Sequence, residues 1–236
     1  QGALSGGNDV TLQSTGSSIN LTATVTATSG TLSATAATTL DATQALLAGT
    51  DVTLQSGGAT TVDGTITAGN DVSVTSTGSS ITLHGQVLAT NDVTLDANTS
   101  TSLTASVTAT NGDLSAMAGT TLSATQALTA GNAVGLQAGT ILTLSETADI
   151  MAGAGGVMLT APQILTAGGI TTNSGDVSIT GAVTLTGDVT IDTGTSGSLL
   201  VTGTIDAQTA FAPSLFLSTG TGDITVTGNV GSVGPL

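Results

Sequence analysis

The chain has 236 residues with no Lys or Arg against 15 Asp and Glu, a formal net charge of −15. Nucleic-acid binding and docking on anionic lipid both rely on Lys and Arg meeting phosphates, so these function classes are excluded. Charged residues make up only 6% and hydrophobic residues 39%, so the chain is built to fold and not to remain a disordered acidic tail.

Cys is 0, which removes disulfides and thiolate metal or redox chemistry. Trp and Tyr are absent and Phe is 2, leaving little for stacking on bases or sugars. No run approaches the ~18–20 apolar residues of a membrane helix, so direct membrane insertion is not expected. The sequence opens at Gln1 without a charged-then-apolar leader. A secretion signal is therefore expected to have been removed or to lie outside this sequence.

Along the chain one phrase recurs, Gly-Asn-Asp-Val-Thr-Leu or a worn copy of it. It stands at 7–12, 49–54, 69–74, 90–95, 112–114 and 131–136, with echoes at 175–179 and 222–226. The first apolar residue after each turn is Val10, Leu32, Val52, Val72, Val93, Leu114, Val134, Val157, Val177, Leu199 and Ile224. The steps between them are 22, 20, 20, 21, 21, 20, 23, 20, 22 and 25 residues. A longer period is superposed: segment 31–49 recurs as 113–131, a shift of 113 − 31 = 82 residues, or four units.

Inside each unit apolar residues alternate with polar ones, as in Val10/Leu12, Ile81/Leu83 and Val177/Ile179, which is the strand period. Thr, Ser and Val fill the remaining positions, and Gly interrupts every ten or so residues, so helix is disfavoured. A unit of ~20 residues is too short for a four-stranded propeller blade. The expected fold is all-β: a single-stranded parallel β-helix (β-solenoid) of about eleven coils with ~20–23 residues per coil. At ~4.8 Å per coil the rod is roughly 50 Å long. Residues 1–236 form one domain, with regular coils over 7–199 and less regular coils over 200–236. Pro162 is expected at a turn, and the interval holding Phe211, Pro213 and Phe216 as a loop or bulge acting as a local packing plug.

Three phrases, Ala-Gly-Thr-Asp-Val-Thr-Leu at 48–54, Ala-Gly-Asn-Asp-Val at 68–72 and Thr-Asn-Asp-Val-Thr-Leu at 90–95, resemble the repeats of filamentous-haemagglutinin-like exoproteins. The resemblance covers most of residues 7–199. It implies a β-helical shaft of a bacterial surface adhesin, exported by two-partner secretion or as an autotransporter passenger.

Stacked coils place equivalent turns above one another, so Asp9, Asp51, Asp71, Asp92 and Asp113 fall on one edge, broken at Thr31 and Ala133. Carboxylates one coil apart, ~5 Å, repel by roughly 1 kcal/mol in bulk water and ~3–4 kcal/mol at an effective dielectric of 20. With no basic partner, relief comes from solvation, screening or cations, and calcium is the natural hard-oxygen choice for Asp51, Asp71, Asp92 and Asp113. Against dedicated calcium sites, the Gly-Gly-x-Gly-x-Asp repeat is absent, and Asp and Asn are ordinary turn residues.

No catalysis and no required cofactor are expected. Paired carboxylates for glycoside hydrolysis are available as Asp188 with Asp192 or Asp92 with Asp96, a spacing that chance also produces. His84 is the only His and Glu146 the only Glu, and neither sits in a catalytic or metal constellation. Thr-x-Thr runs such as Thr22/Thr24, Thr26/Thr28, Thr65/Thr67 and Thr108/Thr110 offer an alternative, a carbohydrate-binding or ice-binding solenoid using outward Thr ranks. Segments 1–7 and 228–236 contain no capping helix and no charged blocker, so the end coils are expected to stack on further copies or on more of a longer chain. The reading is an extracellular structural shaft or self-assembling fibre at a bacterial cell surface, whose ligand class is a host surface or glycan.

Overall fold

A computed structural model describes residues 2–236. It contains thirty strands and no helix among those residues, so nothing there is a helix long and apolar enough to cross a membrane. Each coil visits three faces in the same order. The first face begins with Val10–Ser14, the second with Ile19–Leu21 and the third with Val25–Ala27. The next coil repeats this as Leu32–Ala36, Leu40–Ala42 and Leu46–Ala48, and every pairing between coils is parallel. The molecule is a parallel β-solenoid whose third face alone is an 11-stranded sheet, running from Leu4–Gly6 to Leu215–Ser218.

The register bears out the period. Val10, Leu32, Val52, Val72, Val93, Leu114, Val134, Val157, Val177, Leu199 and Ile224 sit above one another on the first face. Strand alternation turns alternate residues inward, giving one continuous apolar core from Val10 to Ile205. Each face contributes its own layer. On the third face, Ala27, Ala48, Ala68, Ala89 and Ala109 stack at the last inward position, where the chain turns, a place that Thr172 takes opposite Ala152 further up. On the first face the equivalent place is held by Ala36, Ser56, Ser76, Ala97 and Ala118.

The buried hydroxyls are satisfied locally. Ser56 Oγ donates to the Gly58 carbonyl at 2.6 Å, and Ser76 Oγ reaches the same oxygen. Among the described residues, no buried side-chain nitrogen or oxygen lacks a partner. That matters because an unpaired buried polar group costs about 1–3 kcal/mol.

One local expectation in the coils needs amendment. Pro162 lies inside the eleven-residue strand Gly156–Thr166, which runs through the first and second faces without a break. It occupies the register shift between Thr160 and Gln163, where the ladder skips and a missing N–H costs nothing. After Leu199 the three faces continue as Leu199–Thr202, Ile205–Ala207, Leu215–Ser218 and Ile224–Val226. The extra residues of the 25-residue step are held in one corner, 208–214, between the second and third faces. The carboxy-terminal segment, which carries no capping helix and no charged blocker, forms a strap along the last second-face strand. Ile205 N–H donates to Asn229, Gly231 N–H to Ile205, and Ala207 N–H to Gly234, while Leu236 packs on the core. At the opposite end the inward residues Leu12, Ile19 and Leu21 stay only partly buried and Leu4 is exposed.

Close stacking dictates glycine where backbone rides on backbone. A Cβ on Gly69 would stand 2.1 Å from the Gly49 carbonyl oxygen one coil away, whereas a Cβ on Gly135 would meet nothing within 4 Å. Gly69→Ala should therefore cost at least about 3 kcal/mol. Gly135→Thr, which restores the Thr/Ser character of its outward rank, should stabilise by roughly 0.5–1 kcal/mol. Denaturant unfolding of both variants measures the contrast.

Candidate functional site: an aspartate ladder on one corner

The corner leading into the first face carries the predicted acidic residues, and the structure brings them into one file. Their carboxylates do more than line up. Asp9 Oδ1 accepts the Thr31 N–H at 2.9 Å from the next coil. Asp51 Oδ1 accepts the Asp71 N–H at 3.2 Å, Asp71 Oδ1 the Asp92 N–H at 3.0 Å, and Asp92 Oδ1 the Asp113 N–H at 2.8 Å. Asp113 Oδ1 accepts the Ala133 N–H at 3.0 Å. At this turn the backbone leaves the ladder, and the carboxylate supplies the acceptor that a carbonyl would otherwise provide.

The Asn of the repeated phrase ties the same file together. Asn70 Nδ2 donates to Asp51 Oδ1 at 2.7 Å and to Asp71 Oδ2 at 3.2 Å. Asn132 Nδ2 donates to Asp113 Oδ1 at 2.7 Å, and Asn91 donates to Asn70. The breaks fall at Thr31, whose hydroxyl reaches Asp51 Oδ2 at 3.4 Å, and at Ala133. The same device returns further along. At this corner Asp176 caps Ser198 at 2.8 Å, and at the corner before the third face Asp149 caps Gly169 at 2.8 Å and Asp188 caps Ser214 at 2.8 Å.

The donor chemistry at this edge suits loose association more than a calcium cage. Each coil offers one carboxylate with one oxygen already bound to the neighbouring coil, whereas Ca²⁺ takes six to eight oxygens. Among the described residues, no group of three or more His, Asp or Glu side chains is placed to hold a metal ion.

His84 lies on a different corner, where Nδ1 meets Asp63 Oδ1 at 2.7 Å and both side chains are about half exposed. Sequence reasoning missed this pair. Its signal was the coil period, because 84 − 63 = 21 residues places one directly over the other. Three of the four candidate hydrolytic carboxylates are capping groups: Asp188 is engaged by Ser214, Asp192 Oδ1 accepts the Gly194 N–H at 3.0 Å, and Asp92 belongs to the ladder, while Asp96 is exposed on the first face.

Outward Thr does not form an unbroken rank on the third face. The middle position reads Thr26, Leu47, Thr67, Leu88, Thr108, Thr129 and Met151 up the coils. Thr22 and Thr24 lie in the corner before that face.

Two carboxylates near the carboxy-terminal end titrate below their ordinary value. The Ser214 N–H and then its hydroxyl lower Asp188, and the Val233 N–H is the chief cause for Asp206, each outweighing partial desolvation. A depressed folded-state value means that the stabilisation is present above the unfolded carboxylate range and is lost as pH falls through the lowered value.

No family model, curated protein or solved structure matches the chain. The fold and its corners define a class, the parallel β-solenoid with side-chain-capped turns.

Asp71→Ala removes the acceptor for the Asp92 N–H and should cost about 1 kcal/mol, whereas Asp71→Asn keeps an acceptor, removes a charge and should be neutral or stabilising at low salt. Thermal melts with and without added NaCl or CaCl₂ compare them, and the wild type should gain more from either salt than Asp71→Asn. Acidification should also act locally first. Amide exchange at Ser214 and Val233, corrected for intrinsic rate, should accelerate as pH drops below the ordinary Asp range, before the core strands open.

Proposed function

We propose that the chain is an extracellular structural rod, the shaft of a bacterial surface adhesin or self-assembling fibre of the filamentous-haemagglutinin-like kind. The observation that carries this reading is the parallel stacking of about eleven coils along one continuous apolar core. Such a body is stiff along its axis, because bending it stretches every ladder at once. The repeated phrases at 48–54, 68–72 and 90–95 point to that family, and the lack of Lys and Arg gives a surface with no trypsin cleavage site.

The rod works without catalysis in this reading, and its partners are coils. The amino-terminal end presents open strand edges on all three faces, Leu4–Gly6, Val10–Ser14 and Ile19–Leu21. Those edges accept either another copy or more of a longer shaft. Cations, calcium among them, associate with the acidic edge and relieve its repulsion without being required for folding. Ice binding gains no support from a third-face rank interrupted by Leu47, Leu88 and Met151. Glycan recognition does have an observation in its favour, developed below.

Electron microscopy of the purified chain at micromolar concentration, combined with immunogold labelling of the source cells, tests the reading. The expected result is slender rods about 50 Å long, joined end to end or continuous with longer shafts, and label outside the cell. Round particles, or label confined to the cytoplasm, would overturn it.

A further inference from the structure

The two Phe of the chain lie at the corner that breaks the period, Phe211 inside it and Phe216 in the strand that follows, and neither is packed. Phe211 is 78% exposed and Phe216 is 62% exposed, so the expected packing plug is absent. A missing further coil does not explain this for Phe216. It points outward from the third face, in register with the outward Thr190, and another coil on the end would leave it in solvent.

Phe211 is also held in the left-handed region at φ 60°, a conformation that bulky residues adopt rarely. Its N–H is fixed to the Pro235 carbonyl at 2.8 Å by the carboxy-terminal strap. An exposed, strained aromatic gains nothing for the fold, and backbone strain of this kind concentrates at ligand clamps.

Ala212 and Pro213, which follow Phe211 in the chain, form one wall of a shallow cavity of about 250 Å³ lined also by Thr186, Asp188, Gln208 and Thr209. It exists because the chain crosses this corner through 208–214, while the coil below needs only 186–188. Asp188 Oδ1 takes both the Ser214 N–H at 2.8 Å and the Ser214 hydroxyl at 2.9 Å. No hydrogen bond among the described residues reaches Oδ2. The carboxylate is thereby oriented with one oxygen free. Phe216 stands two residues beyond Ser214 on the same outward side.

We propose that this corner is a binding site for a neutral oligosaccharide. A flat aromatic face takes the C–H face of a sugar ring, and an oriented carboxylate oxygen accepts from its hydroxyls. The Gln208 amide and the Thr186 and Thr209 hydroxyls supply both donors and acceptors. Anionic glycans are repelled by a net charge of −15 with no Lys or Arg to meet them. The inference rests on the surface-rod reading for its biological setting and gives that rod a point of attachment.

Calorimetric titration and saturation-transfer NMR of the whole 236-residue chain with maltotetraose, cellotetraose and laminaritetraose test it. At least one should bind. Phe216→Thr and Phe211→Gly should each weaken binding about three- to tenfold, Asp188→Asn should weaken it as well, and Leu88→Thr on the third face should leave it unchanged. The melting temperature of Phe211→Gly should hold or rise, since glycine takes this conformation freely. Absence of binding by all three sugars, or binding indifferent to both Phe substitutions, would overturn the site. So would a lower melting temperature for Phe211→Gly, which would make Phe211 a packing residue. Any of these results leaves the rods seen by microscopy intact, so failure of the site is distinguishable from failure of the shaft reading.

Discussion

Vertical hydrogen bonding between coils is the constraint on which everything else in this molecule depends. A parallel ladder joins each residue to its counterpart one turn away, so a coil that gains or loses a residue must do so in a corner or at a bulge. The core then follows without further instruction. Inward positions stack on inward positions, Leu32 on Val52 on Val72, and the apolar column closes because the backbone has already aligned it. Within such a ladder the dangerous places are the corners, where the backbone turns and its N–H groups lose their carbonyl partners. There the chain spends its Asp, Asn and Gly.

This gives the repeated Gly-Asn-Asp-Val phrase a division of labour. Gly69 admits the backbone of Gly49 within a distance no side chain allows. Asn70 bridges two carboxylates that would otherwise face each other unscreened. Asp71 receives an N–H from one neighbour and lends its own to another. Val72 turns inward and begins the first face. The acidic file looks like a charge problem in the sequence, and each carboxylate in it is a backbone acceptor. The local hydrogen bonds, worth more to a charged acceptor than to a neutral one, offset part of the repulsion that stacking creates.

Much of this was legible beforehand, and the rest was not for definite reasons. The apolar residue after each turn marks the register because alternation has period two, and a slip of one residue would turn every Val and Leu outward. That logic identified Val10 through Ile224 and the breaks at Thr31 and Ala133. It could not tell a corner from a strand that bends through a bulge, which is why Pro162 sits in Gly156–Thr166 and not in a turn. It also could not say which carboxylate oxygen binds what. Asp63 with His84 follows from the coil period alone, whereas Asp188 with Ser214 is a contact between coils visible only once the number of residues in that corner is known. The strap over the last second-face strand has no helical pattern or charge to announce it. Its backbone groups do the covering, and composition is silent about them.

The capping bonds all run one way. In every pair from Asp9 with Thr31 to Asp113 with Ala133, the carboxylate belongs to the earlier coil and the N–H to the later one. A chain delivered amino end first therefore always presents a finished, negatively charged acceptor to the segment that has yet to arrive. The earlier coil holds the acceptor and the later coil brings the donor, so along this corner the two ends of the rod are chemically different.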